Sequence, residues 1–165
     1  MVFIQGYKAI LLDIEGNPSL EPNQSVLPTL VAGRAKLTKD PALLEKALER
    51  LSRRGVRIEQ DLTNALRKLT VKSWIYLRDT KVHSIFMDEK CEEAYGVVGL
   101  TDRIRDITGG SGLFLESGVA PFCGVFVCDG LTIQRLWLGS NYKKSYNERL
   151  KELKSTGRFH TKSEA

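Results

Sequence analysis

Asp13 and Glu15 stand two residues apart in Asp13-Ile14-Glu15-Gly16, at the end of an apolar run that starts near Tyr7. A run this short and apolar reads as a buried strand. Residues i and i+2 of a strand share a face, so both carboxylates would point the same way. Two convergent carboxylates suit Mg²⁺, a hard cation that takes oxygen ligands. They would support metal-assisted phosphoester hydrolysis if a third carboxylate, Asp88 or Asp129, came within reach.

A second set is basic. Arg50, Arg53, Arg54 and Arg57 cluster at one helix exit, and Lys72, Trp74, Tyr76 and Arg78 alternate along the strand that follows. Alternation places those four on one strand face. Cations interleaved with rings hold phosphates and stack bases. The competing reading is structural, with cations favouring a helix C-terminus and the rings belonging to the core.

Other features carry less chemistry. Gly109-Gly110-Ser111-Gly112 lacks the lysine of a phosphate-binding P-loop and reads as a helix stop. His83 and His160 have no cysteine near them in sequence, and Cys91, Cys123 and Cys128 lack zinc-ligand spacing. The odd cysteine count fits a reducing compartment. No catalytic residue is assigned, and no cofactor is expected.

Residues 9–16 resemble the first motif of the haloacid-dehalogenase-like phosphatases, whose strand-end aspartate is the nucleophile; they also resemble the opening acidic motif of the DnaQ-like 3′–5′ exonucleases. Residues 95–157 are similar to a segment of an uncharacterised bacterial protein family. That similarity rests on Gly99-Leu100-Thr101 before a short helix, then Glu116, Pro121-Phe122, Gly124 and Asp129-Gly130-Leu131. It implies a recurring structural unit and carries no activity with it.

The elements that must position these residues are partly explicit. Asp40 and Pro41 start a helix whose stripe is Leu43, Leu44, Ala47, Leu48 and Leu51, with Gly55 to end it. A second helix from about Ile58 carries Leu62, Ala65, Leu66 and Leu69, giving a helical hairpin. Leu30 to Leu37 reads as another strand. Ser73 to Arg78 and Val82 to Met87 read as a β-hairpin, and Tyr95 to Val98 as a strand. Thr101 is placed to cap a helix to about Ile107. Phe122 to Cys128 reads as a strand that Asp129-Gly130 turns into a partner over Leu131 to Leu138. A last helix covers about Lys143 to Lys154. Residues 17–25 read as a loop and 160–165 as a disordered tail.

The chain has 165 residues, of which 42% are hydrophobic, and a net charge of +5; its pI is about 9.2. Such a length suits one domain over 1–165 with its own core. Strands and helices occur without βαβ alternation, so the expected class is α+β, with an antiparallel or mixed sheet, the helical hairpin and the C-terminal helix. No apolar run reaches the roughly 18 residues of a membrane span, and the N-terminus lacks a signal-peptide pattern, so a cytoplasmic location is expected. Function reads first as a non-catalytic binding or regulatory module whose partner is a nucleic acid or another protein. The alternative is a metal-dependent phosphoester hydrolase using Asp13 and Glu15.

Overall fold

A computed structural model describes residues 2–164. Among them are six helices and a seven-stranded mixed sheet, so the chain is α+β as expected. It divides into two compact units, Met1–Lys68 and Leu69–Ala165. Among the described residues no helix is long and apolar enough to cross a membrane.

The first unit is all helical: α1 Val2–Ile14, α2 Leu27–Lys39, α3 Ala42–Arg53 and α4 Gln60–Arg67. Both segments read as strands, Tyr7 to Ile14 and Leu30 to Leu37, are therefore helix. Phe3, Tyr7, Ile10 and Leu11 recur at i, i+4, i+7 and i+8 and bury one stripe of α1. Leu30, Gly33, Arg34 and Leu37 do the same on α2. α1 packs on the other three helices. Gly33 marks a close approach of α2 to α1: a methyl there would lie 2.7 Å from the Leu11 carbonyl oxygen. α3 and α4 form the expected pair and bury Leu44, Ala47, Leu51, Leu62 and Leu66. Pro41 occupies the N-cap of α3, and the Asp40 carboxylate accepts from the Ala42 amide at 3.2 Å.

The second unit contains β1 Thr70–Asp79, β2 Ser84–Asp88, β3 Ala94–Val98, α5 Ile104–Thr108, β4 Leu113–Phe122, β5 Val125–Cys128, β6 Ile133–Trp137, α6 Ser140–Ser155 and β7 Phe159–His160. β1 pairs with β2, β2 with β3, β3 with β5 in parallel, β5 with β4, and β4 back with β1. Five strands thus close on themselves as a small Greek-key barrel, which leaves no free edge within the ring. Its interior holds Trp74, Tyr76, Phe86, Val97, Leu113, Leu115, Val119 and Cys128, and Ile104 of α5 joins this cluster. Alternate residues face outward. Ile75, Leu77, Ile85, Met87 and Ala94 are covered by Leu150 and Leu153 of α6.

Four expectations change here. The hairpin between β4 and β5 turns at Cys123-Gly124, both at positive φ (50° and 83°), as a type I′ turn requires. The Asp129-Gly130 step does not fold β6 back on β5. It interrupts one line of chain, so that β5 and β6 both lie along β4. Ile133 and Leu136 of β6 are exposed. Arg103, not Thr101, is the N-cap of α5. The tail read as disordered is tied down: β7 pairs with β3, His160 Nε2 lies 2.6 Å from Glu93 Oε2, and the Ser163 amide donates to the Gly124 carbonyl. Ala165 of that tail lies outside the described residues.

Candidate functional site

Because α1 is a helix, Asp13 and Glu15 do not share a face as strand residues would. Asp13 comes at the last turn of α1 with its side chain only 3% exposed. A buried carboxylate needs partners, and α3 supplies two. Arg50 Nε donates to Asp13 Oδ2 at 2.8 Å, and Arg54 donates to Oδ1 at 2.6 Å. Arg50 and Arg54 are four residues apart and so stand on one face of the α3 exit. Glu15 is engaged separately, 2.8 Å from Lys36 of α2. The two expected metal ligands thus each hold cationic side chains. Among the described residues no group of three or more His, Cys, Asp or Glu is arranged to hold a metal ion.

The arginines themselves do converge. Arg50, Arg53 and Arg54 line a shallow cavity of about 390 Å³ with Asp13, Gly16 and Asn17. Arg53 pairs with Glu49 on the open surface, an interaction worth at most about 1 kcal/mol. The side chains of Arg50 and Arg54 remain 46% and 47% exposed while bound to Asp13. Three guanidiniums against Asp13 and Glu49 leave a surplus of one positive charge, and Arg57 is exposed in the turn before α4.

The strand half of the basic set is arranged differently. Trp74 and Tyr76 are 2% and 0% exposed inside the barrel, so neither presents a ring for stacking. Lys72 lies over the Trp74 ring at 4.4 Å. Trp74 Nε1 donates to the Ser117 carbonyl at 3.0 Å, which satisfies its one donor. Arg78 leaves this face altogether. The β1–β2 register shifts between Tyr76 and Arg78, and a bulge of this kind re-aims the residues after it. Arg78 then opposes Ile85 and donates to Asn147 of α6 at 3.1 Å.

The same bulge brings Asp79 opposite Ser84. There its Oδ1 accepts from the Tyr76 hydroxyl and from the Ser84 hydroxyl, each at 2.6 Å. Burial and this carboxylate push the Tyr76 phenol well above its usual pKa. The other oxygen, Oδ2, is buried without a hydrogen bond, and Arg105 Nε stands 3.7 Å away. Asp79 falls just past the first strand that the sequence gives the hairpin, because a bulge leaves no sign in the alternation around it. A second buried carboxylate, Asp129, accepts from the amides of Gly118 and Leu131 and fixes the break between β5 and β6.

Comparison of the chain with protein-family models, with curated proteins and with solved structures finds no match.

Proposed function

We propose that this chain is a non-catalytic binding module whose helical unit holds nucleic acid by its phosphates, through Arg50, Arg53 and Arg54. The carrying observation is the grouping of these three arginines around one buried carboxylate, with half of Arg50 and Arg54 still in water. Asp13 restricts the guanidiniums before any ligand arrives, which lowers the ordering cost of binding. An arginine has five N–H donors, and Asp13 takes only some of them. Such contacts neutralise phosphate without reading sequence.

The barrel does not favour a second nucleic-acid face. Five-stranded Greek-key barrels bind oligonucleotides or oligosaccharides on the face of their second and third strands. Here the outward residues Ile85, Met87 and Ala94 are packed under α6. The hydrolase reading loses its geometry because Asp13 and Glu15 are both engaged by cations.

The test is fluorescence anisotropy with labelled single-stranded DNA and RNA at several salt concentrations, using the full chain and the Arg53→Gln/Arg57→Gln variant, neither of whose arginines holds Asp13. Binding should weaken linearly in log salt. The log–log slope should fall by roughly 0.7 for each phosphate contact removed. No binding at micromolar protein in low salt would remove the proposal.

A further inference from the structure

We infer that the second unit carries a separate site for a small phosphate monoester, at the end of the barrel where the β1–β2 loop meets the β3–α5 segment. A cavity of about 530 Å³ opens there, within the size range of small-molecule sites. Its charged lining is Lys81, Arg103 and Arg105 against Asp79 and Asp102. Asp79 is turned inward, with Oδ1 committed to Tyr76 and Ser84 and Oδ2 facing Arg105 at 3.7 Å. It therefore holds Arg105 at the wall without forming a hydrogen bond to it. Lys81 and Arg103 make no side-chain hydrogen bond or ion pair among the described residues, and both are exposed. Three cations thus meet two carboxylates, Asp79 and Asp102, and the surplus of one positive charge favours an anion.

The walls are built rather than open loop. Thr80 Oγ1 accepts from the Val82 and His83 amides at 3.3 and 3.0 Å, and the Thr80 amide donates to the His83 carbonyl at 2.7 Å. The His83 ring lies on Gly96, where a methyl would come 2.9 Å from its Cγ. His83 is thereby fixed in the lining with a nitrogen donor to offer. Val82, exposed, and Val98, half-buried, supply an apolar wall beside the cations. A phosphate group with a small organic body matches a cationic rim and an apolar wall; a bare hydrophobic ligand does not.

The experiment is an amide NMR titration of the isotope-labelled full chain in phosphate-free, low-salt buffer. The probes are 5′-AMP, ribose 5-phosphate and adenosine. Both phosphates should give saturating shifts at residues 80–83 and 101–105, and adenosine should give none. Saturation by 5′-AMP alone would also support the site and make the ligand a nucleotide. Lys81→Gln/Arg103→Gln, two exposed substitutions that leave the Asp79 network whole, should weaken binding at least about tenfold, which corresponds to about 1.4 kcal/mol. Three results would overturn the inference: adenosine matching 5′-AMP, no saturation with either phosphate by about 10 mM, or shifts that fall on residues 50–54 instead. The last would locate phosphate at the α3 arginines, so this site and the nucleic-acid proposal fail separately.

Discussion

The Tyr76 hydroxyl and the Asp79 carboxylate stand 2.6 Å apart, oxygen to oxygen, at the end of the barrel interior. The folded barrel holds the phenol proton more tightly than the unfolded chain does, because burial and the carboxylate both disfavour a phenolate. The stability this group contributes is intact below the ordinary tyrosine pKa of 10.0 and is lost as pH rises above it. Urea midpoints of the native chain and Tyr76→Phe should therefore differ most near pH 8 and converge above pH ~10. A gap that stays constant with pH would refute the assignment.

Asp13 is the tie between α1 and α3. Asp13→Ala should lower stability by roughly 1–3 kcal/mol, less than for a wholly buried pair because Arg50 and Arg54 are half in water. Urea denaturation followed by circular dichroism reads this. Arg53→Gln, which touches only Glu49, should shift it by less than about 0.5 kcal/mol. Equal effects for the two variants would contradict the tie.

Gly33 reverses a general rule. Replacing a mid-helix glycine by alanine ordinarily gains about 1 kcal/mol. At Gly33 the added methyl meets the Leu11 backbone, which cannot give way as a side-chain end would. Gly33→Ala should therefore lose about 1–3 kcal/mol, read from a lowered melting temperature. A raised one would mean that α1 and α2 are not held this close.

The two tryptophans should report opposite environments. Trp74 is 2% exposed and Trp137 is 53% exposed. Iodide should quench Trp137 in a Trp74→Phe variant and leave Trp74 nearly unquenched in a Trp137→Phe variant. Added single-stranded DNA should leave the Trp74 emission unchanged. Strong quenching of Trp74 by DNA would restore it as a stacking residue.

Legibility in the sequence followed the range of the interactions involved. The α3 start at Asp40-Pro41 and the β1–β2 hairpin are local events, and both were readable from turn chemistry and period. α1 and α2 carried the helical stripes Phe3–Tyr7–Ile10–Leu11 and Leu30–Gly33–Arg34–Leu37, but short apolar runs are ambiguous between buried strand and helix. The misreading placed Asp13 and Glu15 as paired ligands. The true partners of Asp13 lie 37 and 41 residues away, a separation at which no pattern signals contact. Trp74 and Tyr76 were found on one strand face, yet alternation does not say that this face is the inside of a closed ring. Asp129-Gly130 has good turn chemistry, but Cys123-Gly124 made the hairpin first.

Closure of that ring also sets an order of events. β1 completes the barrel only by pairing with β4, about 40 residues later, and β3 only by pairing with β5. A nascent chain that ends after β3 owns a three-stranded meander with Trp74, Tyr76 and Phe86 uncovered. The helices of the first unit all lie within Val2–Arg67 and need none of this. Compact units fold N-terminal first as the chain is made, so synthesis should yield an early helical unit and a barrel that waits for Cys128.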